Sequence, residues 1–321
     1  MRRIVSLIPS ATEIVALLGL TDDLVGRSHE CDYPPEVCDR PVCTAPKFNP
    51  AGSSLETHQR VTDLLQSALS VYRVDAAVLE QLRPTHILTQ AQCEVCAVSL
   101  VDVETAVAQL THSQPQVISL QPTVLHEVWQ DIQRVAQALG VEPNGLADLQ
   151  QRVAACRSVT ALMDWSNRPA VACIEWIDPL MAAGNWMPEL VELAGGKLPQ
   201  TAATQAAGQP HDPHPFGTTG KHSPWLTWEA LQAADPDVLV ILPCGYDLNR
   251  TRQEAQVLTQ HPGWSQLKAV QTGHVYLTDG NQYFNRPGPR LVDSLEILAE
   301  ILHPNHFQFG YEGKGWERMV T

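Results

Sequence analysis

The sequence predicts an α/β protein of two lobes with mainly parallel sheets, joined by a single long α-helix. Three observations carry that prediction. Short apolar strands alternate with helically spaced segments along most of the 321 residues, which is the pattern of βαβ units. One module occurs twice: residues 74–84 precede the strand 85–89, and residues 228–236 precede the strand 238–242. In each copy a short helix stops at a proline and a buried strand follows, ending in a loop with cysteine. Between the copies, residues 143–165 place Leu146, Leu149, Val153, Cys156, Val159 and Met163 at steps of three and four. That spacing lines one face of a helix with apolar side chains. The organisation expected is a first lobe over 1–142, a connecting helix over 143–166 and a second lobe over 167–303. A flexible insertion is expected at 199–224 and an irregular tail at 304–321.

Taken in order, residues 4–8 form a short apolar strand. A helix follows through Leu20, opened by Ser10 and Glu13 as a capping box. A second strand at 24–27 runs into loop 28–35, and residues 43–58 read as loop around Pro46, Pro50 and Gly52. Helical spacing resumes at 61–69, and after the first module come a helix at 101–110, a strand at 117–120 and a helix at 124–139 closed by Gly140. Pro143 and Asn144 signal the start of the connecting helix, and Pro169 forbids its continuation. The second lobe then reads as a strand at 170–174, a helix at 187–194, the second module, a strand at 274–277 and a helix at 291–302.

Bulk properties exclude several classes of function. Composition is that of a globular chain: 44% hydrophobic, 17% charged and mean hydropathy −0.13. The net charge of −14 repels phosphate backbones and anionic lipid surfaces, so neither nucleic acid nor a membrane surface is expected as partner. No apolar run is long enough for a membrane span. The first strand begins almost at Met1 and Ser6, Pro9 and Ser10 break any signal-like run, which points to a cytoplasmic protein, or a periplasmic one whose leader has been trimmed. Eight cysteines in a chain this long do not suggest a disulfide scaffold.

In parallel sheets, ligands sit outside the carboxyl ends of the strands. The informative loops are therefore 28–35, 89–99, 175–186, 243–251 and 279–290. Loop 28–35 carries His29, Cys31 and Tyr33; loop 89–99 carries Gln92, Cys93 and Cys96. If these loops are neighbours, His29, Cys31, Cys93 and Cys96 form a Cys3His set of the type that zinc takes. Two other readings stand beside it: reduced thiols packed in loops, or a redox pair at Cys93 and Cys96 at the start of a helix. Loop 175–186 offers Glu175, Trp176 and Trp186, suited to a flat apolar ligand face or to cover for the lobe's own core. Tyr246 lies in loop 243–251, and Tyr283, Phe284 and Arg286 lie in loop 279–290. Arg286 is assigned to the ligand and Arg290 to local structure. His211, His214 and His222 in the insertion read as solvated surface. There is no phosphate loop, nucleophile elbow or HExxH.

These pieces resemble a known family. RIVSLIPSATEIVALLG, SHECDYPPEV, THILTQ, IEWIDPLMAAGNWMPELVELAGG, SPWLTWEAL and NRPGPRLVDSLEIL, in that order, resemble the helical-backbone (class III) periplasmic binding proteins of ABC importers, in particular the cobalamin-binding branch. The resemblance covers roughly residues 3–302. It implies two Rossmann-like lobes, no catalysis, small lobe closure and a ligand held in the cleft, cobalamin or a related corrinoid or metal chelate. Haem, a siderophore or a bare metal held by the His/Cys loops is the alternative ligand. The resemblance also implies an importer as partner, docked through an acidic residue on each lobe. Glu229 fits that place on the second lobe, and its counterpart on the first is Ala77.

Overall fold

The computed structural model describes residues 2–66, 71–90, 99–200 and 214–320. Four parallel strands build the first lobe's sheet: β1 (Ile4–Ser6), β2 (Leu24–Arg27), β5 (His86–Gln90) and β6 (Gln116–Leu120), in the order β2-β1-β5-β6. Between β2 and β5 the chain leaves this sheet and forms a separate antiparallel pair, β3 (Thr44–Pro46) with β4 (Tyr72–Val74). The second sheet has the order β11-β10-β9-β7-β8. Its centre, β7 (Val171–Trp176), β9 (Val238–Ile241) and β10 (Val275–Thr278), is parallel, and β8 (Met181–Ala182) and β11 (Trp316–Arg318) are antiparallel edges. The chain therefore has the predicted α/β architecture of two lobes with mainly parallel sheets.

The repeated module is present in detail. Helix α3 (Ala76–Leu82) is capped by the Asp75 carboxylate, which accepts from Val78 N at 3.0 Å, and stops at Arg83 with φ 44°. In the second lobe α8 (Trp228–Ala234) is capped by Thr227, which accepts from Ala230 N at 3.2 Å, and stops at Asp235 with φ 39°. Proline follows each left-handed stop, so neither helix can continue, and the chain turns directly into a central strand.

Five other segments depart from expectation. The connecting helix α6 is Leu146–Thr160, roughly 22 Å long and shorter than the 143–165 stripe suggested. Gly145 precedes it with φ 77°, a left-handed conformation that favours glycine, and a Cβ there would press on the Leu17 side chain of α1 (Pro9–Leu17) at 2.3 Å. Residues 53–58 are not loop: Ser53 and Glu56 exchange reciprocal bonds (Ser53 N to Glu56 Oε2, 2.8 Å; Glu56 N to Ser53 Oγ, 3.2 Å) and open α2 (Ser54–Gln66). Ser10 and Glu13 make no such box; α1 has no side-chain cap, because Glu13 is turned toward the other lobe. The tail is docked, since β11 pairs with β10 and Trp316 Nε1 donates to Glu300 at 2.9 Å. Within the insertion, residues 201–213 lie outside the described part, but Phe216 is 1% exposed and Lys221 O accepts from Asn185 N, so 214–224 is packed on the lobe.

One apolar core runs through both lobes. It joins Ile4, Leu120 and Ile132 with Leu190, Leu295 and Ile301 by way of α5 (Leu125–Leu139), α6, α7 (Met187–Leu193) and α12 (Leu291–Leu302). Arg152 of α6 bonds Asp293 and Glu296 of α12 at 2.6 and 2.5 Å, so the connecting helix is fastened to the second lobe. Above the core, charged groups cross the seam. Arg286 is 2.5 Å from Asp32, 3.6 Å from Glu13 and bonded to Asn281 Oδ1 at 2.9 Å. The Arg290 guanidinium lies 3.9 Å from Glu13, with its carbon 4.2 Å from the Tyr33 ring centroid and 4.5 Å from that of Tyr283. Burial pushes the Glu13 carboxyl up to about 8, although both arginines pull it down.

Two expectations follow. Arg286→Ala should lower stability by about 2 kcal/mol in denaturant titration, because Glu13 can take up a proton and Asp32 is partly open to water. The folded chain holds the Glu13 proton to about pH 8 while an unfolded chain releases it near the ordinary carboxyl value. Stability from this group is therefore complete at low pH and lost as pH rises through 8. Thermal melts of wild type should fall relative to Glu13→Gln between pH 5 and pH 9; parallel curves would refute the assignment.

Candidate functional site

Segments that follow β1, β2 and β10 meet at the seam between the lobes, where Glu13 and Asp32 approach Arg286 and Asn281 bonds Asp32, and Cys244 after β9 lies close to Glu30 and Glu175. The first lobe supplies His29, Glu30 and Tyr72. Tyr72 OH donates to Glu30 Oε1 at 3.2 Å, and the rings of His29 and Tyr72 lie 5.3 Å apart. Tyr72 arrives from β4, the strand that left the main sheet. The second lobe supplies Glu175 and Trp176 from the end of β7, and Cys244 and Tyr246 from the loop after β9. Ser223 Oγ donates to Glu175 at 2.7 Å, and the Trp176 and Tyr246 rings lie 5.4 Å apart.

The two carboxyls give the cleft its electrostatic character. Burial pushes Glu175 up to about 7, against the lowering effect of the Ser223 bond. It raises Glu30 as well, although Tyr72 and Arg286 stabilise its charge. Cys244 lies between them; burial and both carboxylates push its thiol up to about 12. Among the described residues, neither Glu30 nor Glu175 forms an ion pair with a lysine or arginine. Residues 67–70, 91–98 and 201–213 contain no lysine or arginine that might serve instead. The nearest guanidinium, Arg286, is committed to Asp32 and Asn281.

His29 Nδ1 lies 2.7 Å from Thr44 Oγ1, which is itself 3.1 Å from Ser28 Oγ. Nε2 lies 3.8 Å from Glu30 Oε1. Burial and the nearby Arg27 keep the ring neutral by lowering its pKa. That is the state in which imidazole binds a metal.

Several sequence assignments are redirected. Trp186 is 6% exposed and donates to Phe284 O at 2.6 Å; Phe284 is fully buried, so both belong to the core rather than to a ligand face. Tyr33 and Tyr283 flank Arg290, and Arg286 bonds Asp32 across the seam. Cys31 is 1% exposed, accepts from Thr12 Oγ1 at 3.0 Å and is pushed to about 12 by burial, which makes it a poor thiolate ligand. Gln92, Cys93 and Cys96 lie outside the described residues. Among the described residues no three His, Cys, Asp or Glu side chains gather as a metal site. Tyr72, Thr44 and Ser223 escaped the sequence reading because none sits in a loop after a parallel strand. Glu229 is exposed in the first turn of α8, and Ala77 is exposed at the matching place on α3.

If burial governs the thiols, Cys38 should react with iodoacetamide in the native protein while Cys31 and Cys173 stay unmodified at pH 8. Peptide mass spectrometry reads the outcome, and rapid labelling of Cys31 would contradict its placement.

Comparison with known proteins places this geometry. Residues 4–282 match the family described as periplasmic binding protein. An uncharacterized ABC transporter substrate-binding lipoprotein of Bacillus subtilis, YvrC, is 23% identical over 96% of this chain and 82% of its own. A periplasmic heme-binding protein from Pseudomonas aeruginosa superposes with TM-score 0.70 at 19% identity, covering 100% of this chain and 98% of the other. The periplasmic vitamin B12-binding protein BtuF of Vibrio cholerae superposes with TM-score 0.60 at 20% identity, covering 96% and 98%. No described helix is long and apolar enough to cross a membrane, and the expectation of a cytoplasmic location finds no support in a relative described as a lipoprotein. The chain belongs to the periplasmic binding protein family, whose members bind substrates for ABC transporters without catalysis.

Proposed function

We propose that this chain holds a large, amide-bearing metal chelate of the corrinoid class, cobalamin or a close relative, between its lobes. The observation that carries this reading is that Glu30 and Glu175, from opposite lobes, both lie close to Cys244 and that neither pairs with a lysine or arginine among the described residues. A corrinoid periphery is rich in carboxamides, which donate hydrogen bonds to carboxyl oxygens. Haem propionates and the anionic donors of ferric siderophores need cations, and the arginine nearest these carboxyls is already engaged. The His29–Tyr72 and Trp176–Tyr246 pairs add flat apolar surface from each lobe. The structural neighbours named above bind haem and vitamin B12, ligands of that size and shape.

His29 supports a second reading, in which a haem iron or bare metal is ligated by Nε2. The loop bearing Cys93 and Cys96 would be its other source of ligands, zinc included, and a thiol redox role would need the same pair. In either ligand reading the protein would work outside the cytoplasmic membrane and hand its ligand to an ABC importer, a role that a relative described as an ABC transporter substrate-binding lipoprotein supports. Glu229 on the exposed start of α8 is the docking residue this implies.

Titration of the purified protein with cyanocobalamin and with hemin, followed by calorimetry and visible spectra, separates the readings. Cyanocobalamin should bind in the micromolar range or tighter, and Glu175→Ala should weaken it about tenfold by removing one charge-assisted bond. Absence of heat with cyanocobalamin at high micromolar concentration, together with a hemin Soret shift lost in His29→Ala, would transfer the assignment to haem.

A further inference from the structure

The excursion between β3 and β4 is anchored to the first lobe where the Lys47 amide bonds Val71 O at 2.9 Å. Of the described residues 47–66, Ser54 alone is buried; Leu55 and Leu65 are each 40% exposed. The segment is nonetheless stiff. The Ser53–Glu56 box opens α2, Arg60 reaches back to the carbonyls of Asn49 and Ala51, and Gly52 with φ 120° turns the chain where a Cβ would collide with Glu56.

Phe48 and Val61 pack against the core of the first lobe, and a second set of contacts reaches across to the second lobe. Glu254 Oε2 accepts from Ser54 N at 2.9 Å, placing a carboxylate on the first turn of α2. Arg250 donates to Pro50 O and Gly52 O at 3.2 and 3.1 Å while its guanidinium carbon lies 3.8 Å from the Tyr246 ring centroid. The His58 and Trp225 rings meet edge to face at 5.4 Å. Both latch residues come from α9 (Leu248–Glu254), which follows the loop that carries Cys244 and Tyr246 into the cleft. An open groove of about 440 Å³ runs along this junction between Gly52 and Asp247, Gln253 and Glu254, so the strap meets α9 through polar contacts and not through a packed apolar interface.

We propose that residues 47–66 are a rigid strap across the mouth of the cleft, latched by Arg250 and Glu254. Release of this latch, with the lobes staying in place, admits and frees the ligand. The role in ligand passage rests on the cleft reading above; the latch itself does not. A core continuous through both lobes resists wide separation, whereas the strap, seated on the first lobe by Phe48 and Val61, is held to the second by a few polar contacts that water can replace. A large chelate enters by the weaker of the two barriers.

Hydrogen exchange on the full chain tests the latch without any ligand. In the Arg250→Ala/Glu254→Gln double variant, peptides over residues 50–58 should exchange about tenfold faster than in wild type, with β1, β9 and α12 unchanged. Glu104→Gln, an exposed site on α4 (Leu100–Ala108), serves as control and should change nothing. Unaltered exchange of the strap, or loosening of the whole protein with it, overturns the proposal. Stopped-flow with cyanocobalamin, or with hemin if only hemin binds, should show association and dissociation both accelerated severalfold and their ratio nearly constant. A loosened strap with unchanged rates overturns the gating role. Failure of cyanocobalamin to bind wild type counts against the corrinoid reading alone, and the exchange result still decides the latch.

Discussion

The continuity of the apolar core across the two lobes is the constraint on which the other features depend. Ile132 and Leu139 of α5, Leu146 and Leu149 of α6, and Leu295 and Leu298 of α12 are buried in one body. Burial of each such side chain is worth about 1.5–3 kcal/mol, so prising the lobes apart would expose far more apolar surface than a ligand's contacts could replace. The connecting helix is one wall of this body. The Arg152 ion pairs and the Glu13–Arg286–Asp32 cluster add orientation where the packing ends.

A rigid frame transfers discrimination to the side chains that line the gap. Glu30 accepts from the Tyr72 hydroxyl and Glu175 from the Ser223 hydroxyl and the Gly184 amide, and a carboxylate has room for more donors than these. A group left in that condition is costly with no partner, and the cost falls when a donor arrives. The net charge of −14 acts in the same sense at longer range by repelling anionic competitors.

The sequence was most legible where local rules and the global fold agree. Leu291–Leu302 lay where its periodicity indicated, and the paired modules were visible because a capped seven-residue helix, a left-handed stop and proline recur in the same order. The start of α2 was also written there, in Ser53 and Glu56, but Pro50 and Gly52 beside it suggested loop. Ser10 and Glu13 show the converse: their spacing suits a cap, yet a carboxyl that can approach Arg286 and Arg290 is drawn to them. The site was half legible. Parallel strands indicate which ends to inspect, which found Glu175, Trp176 and Tyr246. Tyr72 comes from an antiparallel strand outside that logic, and Trp186 and Phe284 reach the core only through a backbone path that spacing does not encode.

The docked tail has a consequence for the edge of the second sheet. Strand β10 would otherwise end the second sheet with a row of open amides and carbonyls, an invitation to pair with another copy. Trp316–Arg318 occupies that row, and it is pinned by Trp316 to the buried Glu300 carboxylate, which also accepts from the Gly310 and Tyr311 amides. The last twenty residues thus act as a self-supplied terminator for the sheet. Trimming them would convert a finished edge into an adhesive one.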